Sequence, residues 1–159
     1  MGLDACVYCD CYEQGRRTPP PQPKLVYVDA CGQVSLHWDA PGADQFGFYT
    51  WLETSCPHGP LGWLVLHRIG NIALVGLLRS LLSRTPDTFP ILLGKVVYDG
   101  THAGDHLDVR TVEALQAEMS SLDALHCDSA DEEEYLRAFE RQMEELIAAS
   151  LAVRKPIAF

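Results

Sequence analysis

Residues 2–13 read GLDACVYCDCYE. Leu3, Ala5, Val7, Cys9 and Cys11 fall on one side at a period of two, and Asp4, Cys6, Tyr8 and Asp10 fall on the other. That alternation is the signature of a half-buried strand. The rest of the chain is read around it. The closing KPIAF, 155–159, is short and apolar, and it is expected to lie as a terminal strand beside the first one.

Between these ends the pattern alternates strand-like and helical segments. EQGRRTPPPQPK, 13–24, holds four prolines within five positions, which excludes a helix and predicts an extended, flexible loop at about 14–24. LVYV and QVSLHW flank DACG at 29–32, a hairpin pattern with Gly32 free to adopt a positive φ. Asp44 is a candidate cap for a helix through Cys56, with Phe48, Trp51, Leu52 and Ser55 along one stripe. WLVLH, 63–67, reads as a strand. NIALVGLLRSLLSR, 71–84, reads as a central helix capped by Asn71, with Gly76 set close to a neighbour. ILLGKVVY, 91–98, is apolar on both faces and reads as a central strand. Asp108 then caps a helix whose stripe is Val112, Leu115, Met119 and Leu122. Ser129 and Glu132 have capping-box spacing at the start of a long last helix, roughly 131–152. Trp38, Trp51 and Trp63 are expected in or near the core. The fold class that follows is α+β: one domain over 1–159, a mixed β-sheet with helices packed mainly on one face, a long C-terminal helix and a short terminal strand.

The three cysteines of the opening stretch bear on chemistry. Zinc holds thiolates at about 2.3 Å in a tetrahedron, which sets the sulfurs about 3.8 Å apart. In a strand, residues two apart are separated by about 6.6 Å. Cys9 and Cys11 can share a metal only where the strand is ending, and Cys6 points the other way. The partners at a distance are Cys56 with His58, and His126 with Cys127, neither of them a CxxC. Cys6 and Cys9 do form a CxxC, but not at a helix start, where redox pairs are activated. These cysteines are therefore read as small apolar packing. No cofactor is expected, with zinc as the metal to test for.

The most polar segment is VVYDGTHAGDHLD, 96–108, which holds Asp99, His102, Asp105, His106 and Asp108. Two histidines and an acid (His102, His106, Asp105) suit a divalent metal or acid–base chemistry. No nucleophile or phosphate-binding loop accompanies them. Turn chemistry, with Asp and Thr side chains on backbone amides, accounts for the same residues.

Charge supplies the remaining argument. The net charge is −10. Residues 1–98 hold 8 acids and 7 bases, and residues 99–159 hold 14 acids and 5 bases. An acidic chain is not a nucleic-acid or anionic-membrane binder. No basic leader region opens the chain, and Arg68 and Arg79 interrupt its most apolar stretch, 61–82. A soluble cytoplasmic protein with reduced thiols is expected.

MGLDACVY at the start, KVVYDGTHAGDHLDVRTVEAL at 95–115 and VRKPIAF at the end together resemble the small bacterial proteins of the YfbM-like group. More loosely, the layout resembles immunity proteins of polymorphic toxin systems. The resemblance implies an α+β fold with a long last helix and carries no catalytic residues. The reading that results is a non-enzymatic interaction protein, monomer or homodimer, that neutralises a basic toxin domain through an acidic surface. Its contributors are Asp99, His102, Asp105, His106 and Asp108 in the loop and Asp131, Glu132, Glu133 and Glu134 in the last helix. The alternative is a metal-binding protein or metal-dependent hydrolase built on the 99–108 loop.

Overall fold

In the computed structural model, which describes residues 2–159, the first strand is β1, Gly2–Tyr8. Leu3, Ala5 and Val7 are buried on one face and Asp4 is exposed on the other, as the alternation requires. β1 pairs antiparallel with β4, Trp63–Asn71, from Gly2 opposite Asn71 to Tyr8 opposite Trp63. On its other side it meets the terminal strand β6, Ile157–Ala158, with Cys6 opposite Ala158. β5, His106–Leu107, completes the order β4-β1-β6-β5, and every ladder of this sheet is antiparallel. The chain's two ends thus meet in the middle of its sheet.

Three helices cover the Leu3/Ala5/Val7 face: α2, Ile72–Leu82, α3, Val109–Met119, and α4, Ala130–Val153. Their buried stripes (Leu78 and Leu82; Val112 and Leu115; Leu136, Phe139, Met143 and Leu146) form one core with Ile69, Leu107 and Ile157. Burying each such side chain contributes about 1.5–3 kcal/mol. The caps are local and follow the sequence. Asn71 accepts from Ala73 N and Leu74 N at 3.0 Å, Asp108 from Thr111 N at 2.7 Å, and Ser129 from Glu132 N at 3.2 Å. The apolar stripe of α4 is consumed by this core. The fold is a single α+β domain, 48% helical and 16% strand.

Four local expectations are corrected. ILLGKVVY is not a strand. The chain turns helical at Pro90 and makes a π-helical turn over Leu92–Val96. The cause is buried Glu118, whose carboxylate accepts from Ile91 N at 2.7 Å and Leu92 N at 2.9 Å. A continuous apolar run reads the same in either conformation, and a distant acid decides it. Glu118→Ala is therefore expected to cost about 1–3 kcal/mol, the penalty of stripping two amides of their acceptor, measurable as a lowered urea midpoint. Secondly, α1, Gly42–Ser55, starts two residues before Asp44, with Pro41 as its N-cap. Thirdly, Gly76 has open space where a side chain would go, so close packing does not explain it. Lastly, Trp38 is almost fully exposed, whereas Trp51 is buried.

Residues 12–62 form an excursion between β1 and β4. It contains the hairpin β2–β3, Val26–Val28 and Val34–Leu36, together with α1. Its own core is small: Val34, Phe48 and Trp51, with Tyr12, Val26, Val28, Leu36 and Leu52 packed around them. The proline-rich loop is held against it, because Trp51 Nε1 donates to Thr18 O at 2.7 Å and Pro20 is buried. We call this part the lobe.

Candidate metal centre

The lobe meets the main core where β1 ends. β1 stops at Tyr8, and Cys9 N donates to Gly62 O at 2.8 Å. The chain then coils: Gln14 N donates to Asp10 O and Arg16 N to Cys11 O, and Gly15 has φ +64°. Cys9 and Cys11 are thereby released from strand spacing. On the other side α1 ends at Ser55, and Cys56-Pro57-His58-Gly59 makes a turn closed by Gly59 N donating to Cys56 O at 3.1 Å. Proline at the second position and glycine at the fourth suit that turn. It brings Cys56 and His58 to one side.

The two turns face each other. Cys9 Sγ lies 3.5 Å from Cys56 Sγ, Cys11 Sγ lies 3.4 Å from His58 Nδ1, and Cys56 Sγ lies 3.7 Å from His58 Nδ1. All four ligand atoms fall within 4.8 Å of one another. A zinc tetrahedron with Zn–S of about 2.3 Å and Zn–N of about 2.0–2.1 Å has edges of about 3.5–3.8 Å. The three separations above are close to those edges, and the other three lie within 4.8 Å. The three cysteines are buried and His58 is exposed, so the imidazole forms the outer wall. All six cysteines of the chain are free.

The electrostatics of the site favour a cation among the sulfurs. Burial opposes ionisation of Cys9, but the Cys11 backbone amide, the Arg17 guanidinium and the neighbouring thiols outweigh it and bring its pKa down to about 7. Cys11 is pushed up to about 11, by burial first and then by Cys9 and Cys56. Three crowded thiols resist ionising together, and a bound dication removes that conflict.

Arg17 is the unusual neighbour. It is buried, and its Nη2 donates to Cys9 Sγ at 3.6 Å. Its carbon lies 5.7 Å from the Trp51 ring centroid, and its Nε and Nη1 have no hydrogen-bond partner. No carboxylate comes within ion-pairing distance of it among the described residues. A buried cation without an anion is costly. Zinc held by three thiolates and a neutral imidazole would carry one net negative charge and would supply that anion. Gly62, at φ +65°, leaves the space the guanidinium occupies, and a side chain there would strike it. Buried Lys155 donates to Cys9 O at 3.0 Å and fixes the same turn from β6's side.

A pH dependence follows. Protons compete with metal for the thiolates. Arg17 helps to lower the Cys9 pKa, so a zinc ion bound here would be held to lower pH. With Arg17→Gln, one of the interactions that oppose burial at Cys9 is lost and its pKa rises. The pH at which half the zinc is lost is expected to move upward, with affinity weakened about 10–100-fold and Arg17→Lys partly restoring it. Zinc content measured across a pH series checks this, and an unmoved midpoint would remove Arg17 from the site.

The residues expected from sequence lie elsewhere. Asp99 is exposed and pairs with Arg79 at 3.4 Å. His102 is half-buried, 3.8 Å from Asp105 Oδ2, and Asp105 also accepts from the Tyr98 hydroxyl. Asp99, Tyr98 and His102 line a cavity of about 330 Å³ with Arg79. His106 is exposed in β5, and Asp108 is spent on capping α3, with the Thr111 amide holding its carboxyl below the usual range. Asp131, Glu133 and Glu134 are exposed at the start of α4, and Glu132 accepts from Asp128 N at 2.8 Å. His126 is exposed beside Asp128 and is not one of the converging ligands. Among the described residues, the group whose ligand atoms converge is Cys9, Cys11, Cys56 and His58, not His102, Asp105 and His106. Cys9 and Cys11 are packed with Cys56 in a small buried cluster, as the sequence reading expects, and the convergence with His58 is what that reading did not anticipate. The signals that find the site are a CxC where a strand can end and a CxH after a helix, each incomplete alone.

No family model matches the chain, and neither does any curated protein or solved structure.

Proposed function

We propose that this chain is a zinc-binding, non-enzymatic interaction protein in which Cys9, Cys11, Cys56 and His58 hold one structural zinc ion. The convergence of these four ligand atoms within 4.8 Å, with three of their separations at 3.4–3.7 Å, carries the reading. Four protein ligands leave no position for a substrate or activated water, which favours a structural metal over a hydrolytic one. The zinc ties the end of β1 to the end of α1, and so fastens the lobe to the sheet.

The interaction half of the proposal is supported by charge. Asp131, Glu133 and Glu134 stand exposed on a chain of net charge −10, and such a surface speeds encounter with a cationic partner. A basic toxin domain is one partner of that class. The metal half is tested by elemental analysis of protein purified without added metal, with a thiol count in denaturant before and after chelation. About one zinc per chain, and six reactive thiols only after chelation, is the expected result. Six reactive thiols and no metal would overturn it.

A further inference from the structure

The stretch that follows the proline-rich loop is chemically one-sided. Between Leu25 and His67 there are four acids, Asp29, Asp39, Asp44 and Glu53, and no lysine or arginine. Asp29 is engaged within the hairpin, accepting from Gln33 N and Ser35 Oγ. Asp39 and Glu53 are exposed and Asp44 is half-buried.

The same stretch exposes aromatic rings. Trp38 is 90% exposed, Phe46 77% and Tyr49 62%. α1 is apolar on two sides: Phe48 and Trp51 face the lobe's core, while Phe46 and Tyr49 face out. A helix needed only to cover a small core carries polar residues on its outer face. Phe46, Tyr49 and Glu53 have i, i+3, i+7 spacing and form one outward stripe.

We infer that this face of α1 docks a polypeptide segment carrying arginine or lysine among apolar side chains. Exposed rings bind guanidinium and ammonium groups over their faces, and Glu53, exposed on the same stripe, supplies matching charge. The apolar residues of the segment cover Phe46 and Tyr49, and aromatic anchors of this kind dominate binding energy. A second copy of the chain, itself of net charge −10, would bring like charge to this face, and anionic lipid or nucleic acid is repelled likewise. The docking face stands on the exposed residues. Its dependence on zinc rests on the proposed metal site, because that site fastens α1 to the core.

The test uses the zinc-loaded full chain and a labelled twelve-residue peptide of alternating arginine and leucine, read by fluorescence anisotropy. Its controls replace arginine by glutamate, or leucine by serine. The arginine–leucine peptide is expected to bind, both controls to bind more weakly, and the double variant Phe46→Ser/Tyr49→Ser to lose at least about tenfold in affinity. Both positions are exposed, so the variant is expected to keep its melting temperature. Ile72→Ser, at an exposed apolar site outside the lobe, is the unaffected control. Equal binding by the double variant, or no binding of the arginine–leucine peptide, would overturn the proposal. So would a dimer in sedimentation that the double variant abolishes, which would give the face to a second copy. Loss of peptide binding on chelation supports the metal link. Peptide binding by a chain that holds no zinc, still abolished in the double variant, would overturn the zinc reading and leave the docking face in place.

Discussion

Replacing Cys56 by serine is expected to release the metal and loosen residues 12–62 while the sheet and α2–α4 stay folded. The lobe's core rests on Val34, Phe48 and Trp51. Ordering its backbone costs about 1–2 kcal/mol per residue, and segments of roughly this size fold alone only with difficulty. Apart from the bonds at the turns that carry the cysteines, its links to the rest include Tyr8 to Gln33, Cys31 to Gly104 O, Lys155 to Glu13, and Gly32 against Lys155 and Pro156. Structural zinc contributes on the order of 10 kcal/mol in small domains, which exceeds what these links supply. Hydrogen exchange reads the outcome directly. Amides of the β2–β3 ladder and of α1 are expected to lose protection in Cys56→Ser and in chelated wild type alike. Amides of β1, α2 and α4 are expected to keep theirs. Unchanged protection in the lobe would mean that the metal does not fasten it.

The second large effect lies on the other side of the molecule. Phe139, on α4, is fully buried in the main core with Leu136, Met143 and Leu146. Phe139→Ala is expected to cost about 3–5 kcal/mol, through lost burial and the cavity left behind. Urea denaturation measures it. Under native conditions the variant is expected to retain its zinc, because the ligands stand on the turns after β1 and α1, outside this core. A loss under about 1 kcal/mol, or loss of zinc without unfolding, would contradict the division between core and lobe. The pair of variants separates the two: one removes the metal and spares the core, the other weakens the core and spares the metal.

What could be read from the sequence was what is decided locally. The alternation at Leu3, Ala5 and Val7 places β1, and the apolar end places β6 beside it. Asn71, Asp108 and Ser129 each announce a helix start through a side chain that reaches its own first turn. The misreadings involve long-range partners. The segment after Pro90 is helical because Glu118, more than twenty residues on, receives its amides. The convergence of Cys9, Cys11, Cys56 and His58 is hidden for the same reason. Extended geometry separates Cys9 from Cys11, and nothing local shows that β1 ends at Tyr8. His58 looks like any histidine in a turn until the end of α1 is set against the end of β1. The polar loop drew attention because its residues are adjacent in sequence, and in the fold Asp108 and Asp105 are occupied by ordinary cap and turn bonds.

The central claim is that three sulfurs and one imidazole nitrogen surround one zinc ion. X-ray absorption at the zinc edge, on protein purified without added metal, tests it most directly. The expected first shell is three sulfurs at about 2.3 Å and one nitrogen at about 2.0–2.1 Å, with one sulfur lost in Cys56→Ser. A shell of oxygen and nitrogen alone, or one unchanged by that substitution, would contradict it.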